Sequence, residues 1–458
     1  LDAWLKEICL QWKENLLTDL ENEVALFLTS TEAGAPSSSF SPYDCSSMIG
    51  EAVAGKSRAV KYGKFYEIEI GMDVDEAKTP HKQKSLSLIE TGTPMSISKS
   101  EGKSVIKKNS RYVPLDSYKM VCVIGKGSFG KVLIACRSSN NLNFYSPKKN
   151  NKSTSEPVAI KVLSIAEMIS RKQATRVDVE RQCLEKAESP FIVSLHGAYR
   201  TNTHLYFVQD YCAAGELYFH LERNGYFSNK LSRFYAAECV LALEHLHSLG
   251  IVYRDLKPEN IMLDVNGHIK LVDFGLAKLG VYDVASGTKS FVGTTEYLSP
   301  EMINKRGHGL AVDWWALGMV LYEMLAGLPP WYSEDKQEVM NGVLHSPLKF
   351  TSKISNPARN LLSGLLQRIP QRRLGSQRGA AEIKEDQYFA SINWAYLANK
   401  RIKPPFIPKL GNSCDTSYFD DSFTSLCTKI NEKVTREEEK LIQQSLHLFQ
   451  GFQYSNIS

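Results

Sequence analysis

The sequence predicts an α+β fold seated in residues 117–389, and three observations point to it. Strand-like and helix-like patterns are dense there, whereas residues 29–111 are dominated by Ser, Thr, Gly, Pro and Lys. The string VIGKGSFGKVL at 123–133 sets glycines at Gly125, Gly127 and Gly130 and continues as KVLIA, an apolar run rich in β-branched residues with no helix cap. Such glycine spacing can open the helix of a dinucleotide-binding unit, tip a hairpin over a nucleotide, or mark an ordinary turn. A strand after the glycines removes the first option and makes the string a hairpin tip, whose bare backbone N–H groups can approach phosphate oxygens. The third observation is Asn266-Gly267, flanked by alternating apolar residues, which reads as a second hairpin turn.

Composition sets the outer bounds. The chain of 458 residues is 43% apolar, enough for at least one large core and a length that suits two to four domains. Its net charge of +5 is too dilute for nucleic-acid binding, which needs clustered Lys and Arg on one face. Nine cysteines occur singly, without a CxxC pair or a Cys/His cluster, which suits a reducing compartment and cysteines acting mostly as small core residues. No apolar run approaches the roughly 20 residues of a membrane span, and the start lacks a signal-peptide layout. These features predict a cytoplasmic or nuclear protein. A first residue of Leu suggests a fragment.

Taken in order, residues 1–28 carry apolar side chains at Leu1, Trp4, Leu5, Ile8, Trp12, Leu16 and Leu20, the spacing of an amphipathic helix. Residues 29–116 read as low-complexity linker, broken by KFYEIEI at 64–70, a candidate lone strand. After the glycine hairpin, the polar stretch RSSNNLNFYSPKKNNKSTSE is an expected disordered insertion. VAIKVL at 158–163 is a strand with one charge inside it. Lys161 either snorkels at an edge or meets Glu180, on a following helical stretch, in a pair that aims the ammonium at a nucleotide.

The segment YRDLKPENIMLDVNGHIKLVDFG, 253–275, holds Asp255, Lys257, Asn260 and Asp273 on either side of the Asn266-Gly267 turn, which brings its two ends together. Phosphoryl transfer needs this set. An acid orients the attacking hydroxyl and accepts its proton, a carboxylate and an amide oxygen hold Mg²⁺, and a lysine neutralises charge on the moving group.

With VIGKGSFGKV, VAIK, YRDLKPEN, DFG, GTTEYLSPE, DWWALG and RRLG standing in this order, residues 117–458 resemble the protein-kinase family. Tyr253, DWWALG, PPFIP, DTSYFDD and a terminal FQGFQY are similar to the AGC group, the branch of Akt, SGK and their fungal relatives. The resemblance implies a bilobal fold, with a small β-rich lobe and a large helical lobe in residues 117–389 and an AGC tail in 390–458. ATP as co-substrate and Mg²⁺ are implied with it. Asp255 would be the catalytic base, Lys257 would sit at the transferred phosphate, and Asn260 with Asp273 would hold the metal. Lys161 and Glu180 would grip the α- and β-phosphates. Nucleotide contacts would come from Ile124, Gly125, Lys126, Gly127, Ser128, Phe129, Gly130, Lys131, Val132, Ala159, Asp210, Cys212, Glu216 and Phe419.

The resemblance extends to substrate and control. Glu216, Glu259 and Glu323 match positions that hold basic residues before the target Ser or Thr, with Thr294 beside them. Ser290 takes the place of an activating phosphorylated Thr, the site of an upstream kinase, and Arg254, Lys278 and Arg176 are the cations that would gather on its phosphate. Phe449 and Phe452 have the spacing of an aromatic anchor docking beside the Glu180 helix. Departures fall at Gln209, where the family places a gatekeeper, and at Thr295, Ser299 and Gln453, the last where relatives carry a regulatory Ser or Thr. Helix 1–28 looks like the closing helix of a pleckstrin-homology domain, implying phosphoinositide-membrane contact; a helix packing on its own kinase domain or coiling with a partner is the alternative reading. Rival functions are a pseudokinase scaffold and a kinase-fold enzyme acting on a small molecule or lipid. Lys161, Asp255 and Asp273 stand against the first, and GTTEYLSPE and the tail stand against the second.

Overall fold

The computed structural model describes residues 114–127, 130–137, 156–430 and 433–455. The amphipathic helix 1–28, the linker and its KFYEIEI strand, the hairpin tip at Ser128 and Phe129, and nearly all of the polar insertion lie outside the described residues.

The glycine string is a hairpin. β1 (Tyr118–Gly127) and β2 (Gly130–Arg137) pair antiparallel, Lys126 facing Lys131 and Gly127 facing Gly130. β3 (Val158–Ser164), β4 (Leu195–Arg200) and β5 (His204–Asp210) complete the small-lobe sheet. Alternation along these strands sorts their side chains. Val123, Leu133, Ala135, Ile160, Val162 and Val208 form one buried cluster, whereas Ile124, Ile134 and Ala159 join Tyr211, Ala213 and Phe419 in another. Two short helices follow β3, α1 (Ile165–Ser170), capped by Ser164, and α2 (Ala174–Lys186), which buries Val177, Glu180, Cys183 and Leu184.

The large lobe is helical. After α3 (Leu217–Asn224), α4 (Asn229–Ser248) starts at Ser228, whose Oγ accepts from the Leu231 N–H. α5 (Ala311–Ala326) is buried along nearly its whole length, packs against α4 and α6 (Asn356–Leu365), and stops at Gly327, whose φ of 97° favours glycine. The second hairpin joins β6 (Ile261–Leu263) to β7 (Ile269–Leu271). Its loop is longer than a two-residue turn. The Asp264 carboxylate accepts from the backbone N–H groups of Asn266 and His268, and Gly267 takes φ 87° at the tip.

Residues 390–455 return to the small lobe. α7 (Arg436–Ser445) opens with a reciprocal capping box between Thr435 and Glu438. β8 (Tyr454–Ser455) then adds an antiparallel edge to β4, giving a sheet of order β1-β2-β3-β5-β4-β8. The α+β, two-lobed architecture expected from the sequence is the one observed. The cysteines differ from expectation. Cys183, Cys212 and Cys239 are core residues, but Cys122, Cys136 and Cys414 are only half-buried and Cys427 is exposed.

Candidate active site

The hairpin tip explains its glycines unequally. A Cβ on Gly130 would stand 1.8 Å from the Val162 carbonyl oxygen, so β2 can lie against β3 only with glycine there. Around Gly127 a Cβ would meet nothing within 4 Å, which leaves that backbone open to a phosphate. On β3, Lys161 lies on the face opposite Ile160 and Val162, and its ammonium donates to Glu180 Oε1 at 2.8 Å and Asp273 Oδ1 at 3.0 Å. Burial alone would lower the Lys161 pKa, but Asp273 and Glu180 more than reverse this and raise it, so the lysine is cationic. Burial pushes the Asp273 carboxyl up and Lys161 pulls it further down, leaving a carboxylate whose side chain is still 50% exposed.

The catalytic segment converges on Asp255, which is 6% exposed. Lys257 Nζ lies 3.3 Å from Asp255 Oδ2 and donates to Thr294 Oγ1 at 2.8 Å, while that hydroxyl reaches Asp255 Oδ1 at 3.5 Å. The Asn260 amide N–H donates to the Asp255 carbonyl at 2.9 Å and to its Oδ2 at 2.6 Å, which leaves the amide oxygen as the atom available to a cation. Arg254 and Asp273 hold φ of 67° and 55°, a left-handed conformation that costs non-glycine residues of order 1–3 kcal/mol and gathers at functional sites. Asp313, at the head of α5, holds the loop in that shape. Its carboxylate accepts from the backbone N–H groups of Tyr253 at 2.9 Å and Arg254 at 2.8 Å, and from His247 Nε2 at 2.8 Å.

The family description "Protein kinase domain" matches residues 118–389. The chain belongs to the protein kinase family. It is 42% identical over 344 residues to the serine/threonine-protein kinase Sgk1 of Xenopus tropicalis, a match covering 74% of this chain and 78% of the relative. Against the Sgk1 proteins of Mus musculus and Homo sapiens it is 43% identical over 339 residues, covering 73% of this chain and 75% of theirs. These likenesses place it in the AGC serine/threonine branch of Akt and SGK type, and neither rival function is favoured.

In this kinase the other residues singled out in the sequence fall into groups. Ile124 and Ala159 belong to the buried cluster of Tyr211 and Phe419, with Val132 packed on it. Phe419 stacks on Tyr211 at 6.0 Å between ring centroids, and the Tyr211 hydroxyl donates to the Asp415 carbonyl, so the tail lines the strand connection next to Cys212. The Asp210 side chain is engaged by Lys270 at 2.6 Å and His196 at 2.8 Å, and its backbone N–H donates to the Ser194 carbonyl at 3.3 Å. Lys126 is exposed. Lys131 donates to the tail carbonyls of Cys427 and Lys429 at 3.2 and 2.6 Å, engaged with the tail instead of the cleft.

Glu216, Glu259, Glu296 and Glu323 form an acidic field. Burial and the nearby Glu259 charge push the Glu216 carboxyl up to about 7, even with Lys257 working against the shift. Burial also raises Glu323 to about 8, with Glu259 and Glu296 adding to it, although the Tyr297 hydroxyl donates to its Oε2 at 2.6 Å. Carboxylates gathered in this way, with Lys257 acting on Glu216, favour a further positive charge at the site.

Ser290 is exposed, and its Oγ lies 2.7 Å from Arg254 Nη1. Burial, with the like charge of Arg176 adding to it and Asp313 opposing, lowers Arg254 to about 10, so it remains cationic at neutral pH. Lys278 Nζ donates to the Gly287 carbonyl at 3.1 Å. At the other end of the chain, Phe449 and Phe452 are buried, Phe452 meeting Phe207 edge-on at 5.2 Å, and Arg200 donates to the Phe449 carbonyl at 3.3 Å. Gln453 is exposed.

The motifs DWWALG, GTTEYLSPE and RRLG mark the family but do not by themselves assign roles to Asp313, Glu301 or Arg373. The structure joins the last two in a buried bidentate pair, Arg373 Nη1 and Nη2 donating to the Glu301 carboxylate at 2.7 and 2.9 Å. An acid opening a helix that is otherwise apolar except for Glu323 was the available signal for Asp313.

Proposed function

We propose that this chain transfers the γ-phosphoryl of ATP, with Mg²⁺, to Ser or Thr of proteins carrying arginine ahead of the acceptor. The reading rests on one observation: Asp255, Lys257, Thr294 and Asn260 meet within hydrogen-bonding reach, and Asp273, close enough to feel the Lys257 charge, is held by Lys161, which Glu180 pairs. Asp255 orients the substrate hydroxyl and accepts its proton, and Lys257 stabilises charge on the oxygens in transit. The Asp273 carboxylate and the Asn260 amide oxygen are hard donors that fit Mg²⁺. Held there, Mg²⁺ would supply positive charge against the phosphates. Lys161, fixed by Glu180, positions the nucleotide phosphates, while Ile124, Val132 and Ala159 supply the apolar wall for its base.

The acidic field of Glu216, Glu259 and Glu323 selects the peptide by pairing with arginine, and an upstream kinase switches the enzyme at Ser290, where Arg254 already waits. Among the described residues no helix is long and apolar enough to cross a membrane. We assign a cytoplasmic location from composition, with phosphoinositide recruitment through the region to which residues 1–28 belong.

The test is Asp255→Asn, assayed with Mg·ATP and a peptide bearing arginine three residues before serine. Loss of a general base costs about 10²–10⁴-fold in turnover, while ATP should still raise the melting temperature. Phosphorylation of that peptide at the wild-type rate by the purified variant would overturn the assignment.

A further inference from the structure

The chain departs from its sequence reading at a pair of half-buried thiols that the phosphoryl-transfer machinery does not use. Cys136 ends β2 in the small lobe, and Cys414 lies in the strap that follows the large lobe; their Sγ atoms stand 3.2 Å apart across 278 residues of chain. A disulfide needs its sulfurs at about 2.05 Å. Closing the remaining gap of roughly 1 Å is within reach of side-chain rotation, and both residues are exposed enough for a small oxidant to enter.

The strap around Cys414 is seated on the large lobe from both sides. Before it, Phe406 packs its ring on His220 of α3 at 4.9 Å between centroids. After it, Tyr418 packs on His220 at 5.1 Å and on Phe219 at 6.0 Å, and its carbonyl oxygen would stand 2.3 Å from a Cβ on Gly215. Phe419 then stacks on Tyr211 in the strand connection. Cys136 is the only member of this set that belongs to the hairpin sheet of the small lobe. A bond between the two sulfurs would therefore tie the small-lobe sheet covalently to a strap seated on the large lobe, where Phe419 and Cys414 already pack against the cluster of Ile124, Ile134 and Ala159.

We propose that Cys136 and Cys414 form a reversible disulfide under hydrogen peroxide, a clamp that restricts lobe opening and slows nucleotide exchange. The Cys414 sulfur attacks one peroxide oxygen, breaking the O–O bond and leaving a sulfenic acid and one water. The Cys136 sulfur then attacks the Cys414 sulfur, the S–O bond breaks, and the departing hydroxide leaves with the Cys136 proton as a second water. Two thiols lose two electrons and two protons to one peroxide. Burial, with the neighbouring Cys414 thiol adding to it, pushes Cys136 up to about 11 against the pull of Lys119, and the same stoichiometry holds whichever of the two sulfurs is oxidised first. In a reducing compartment such a bond is transient, and dithiols reopen it.

Cys122, on the adjacent strand, is the competing thiol, but its Sγ points to the Thr424 carbonyl at 3.6 Å and the Val123 carbonyl at 3.4 Å. The experiment treats the full chain with hydrogen peroxide, digests it without reductant and maps the peptides by mass. The expected product is one peptide joining Cys136 to Cys414, lighter by two hydrogens than its parts. It should persist in Cys122→Ser, vanish in Cys136→Ser and Cys414→Ser, and reopen with dithiothreitol. Turnover should fall in proportion to the crosslinked fraction and recover on reduction, with ADP release slowed in the crosslinked form. Because the mapping needs no phosphorylation, its failure is distinct from failure of the kinase reading. Cys136 and Cys414 recovered unlinked would overturn the proposal, as would a link lost in Cys122→Ser or an equal loss of turnover in peroxide-treated Cys414→Ser.

Discussion

Replacing Phe452 by alanine removes a ring that is 2% exposed and lies edge-on to Phe207 at 5.2 Å. Truncating a phenylalanine packed to this degree costs about 3–5 kcal/mol, of which an aromatic pair supplies roughly 0.5–1.5. The ring joins the tail to the sheet, so the cost falls first on the equilibrium between docked and released tail and only secondarily on the fold. At about 1.4 kcal/mol per factor of ten, docking weakens by roughly 10²- to 10⁴-fold. Contacts that depend on docking go with it, namely the pairing of Tyr454 with Ala198 on the β4 edge and the Arg200 donation to the Phe449 carbonyl. The turn at 446–449 also packs on α2, which carries Glu180, so the Lys161–Glu180 pair loses a support.

Amide hydrogen exchange reads this directly. In Phe452→Ala the β4 edge at 197–198 and the backbone of α2 should exchange faster, the large-lobe helices should not, and kcat should fall with little change in peptide KM. Gln453→Ala, a change at an exposed side chain, should stay within about 0.5 kcal/mol of wild type. Unchanged exchange on the β4 edge together with unchanged kcat would refute the reasoning, because the aromatic anchor would then carry neither docking nor support for Glu180.

The remaining predictions concern pH and the switch. Free Glu216 and Glu323 carry carboxyls raised to about 7 and about 8, chiefly by burial, so folding and a neutral peptide favour their protonated forms. Arginine binding favours the carboxylates and expels those protons, so KM for an arginine-containing peptide should fall as pH rises from 6 to 8, by up to roughly tenfold per unit for each proton released; an equal trend with an arginine-free peptide would remove these glutamates as the cause. Stability should run the other way, since carboxyls raised above their unfolded value near 4.5 bind more protons in the folded chain and lose that contribution as pH climbs through about 7 and 8. Ser290→Ala should leave protein from its native cell with the low activity of phosphatase-treated wild type, since Arg254 lies 2.7 Å from the Ser290 hydroxyl; full activity in the variant would show that no phosphate there is needed.

What could be read in advance and what could not divides by the distance over which the chemistry acts along the chain. The two hairpins were legible because backbone constraint is local: Gly127 pairs with Gly130 across one tight turn, and the 253–275 segment folds its own ends together. Lys161 and Glu180 are 19 residues apart and were legible because a charge inside an apolar strand must find a partner nearby. No such rule reaches from the Arg254 backbone N–H to Asp313 across 59 residues, or from Glu301 to Arg373 across 72, where both partners look like surface charge until tertiary packing buries them. The raised carboxyls of Glu216 and Glu323 are further still from the sequence, since burial raises both first and the charge of Glu259 adds to each, an arrangement that no single motif encodes. Cysteine is the limiting case. Nine isolated thiols carry no spacing signal, so composition could assign them only to the core; whether one is inert filler like Cys239 or faces a second sulfur like Cys136 depends on where a strap 278 residues downstream comes to rest. The residues that do chemistry within one segment are therefore the ones a sequence exposes, and those that couple the segments of this kinase to one another are the ones that only its packing reveals.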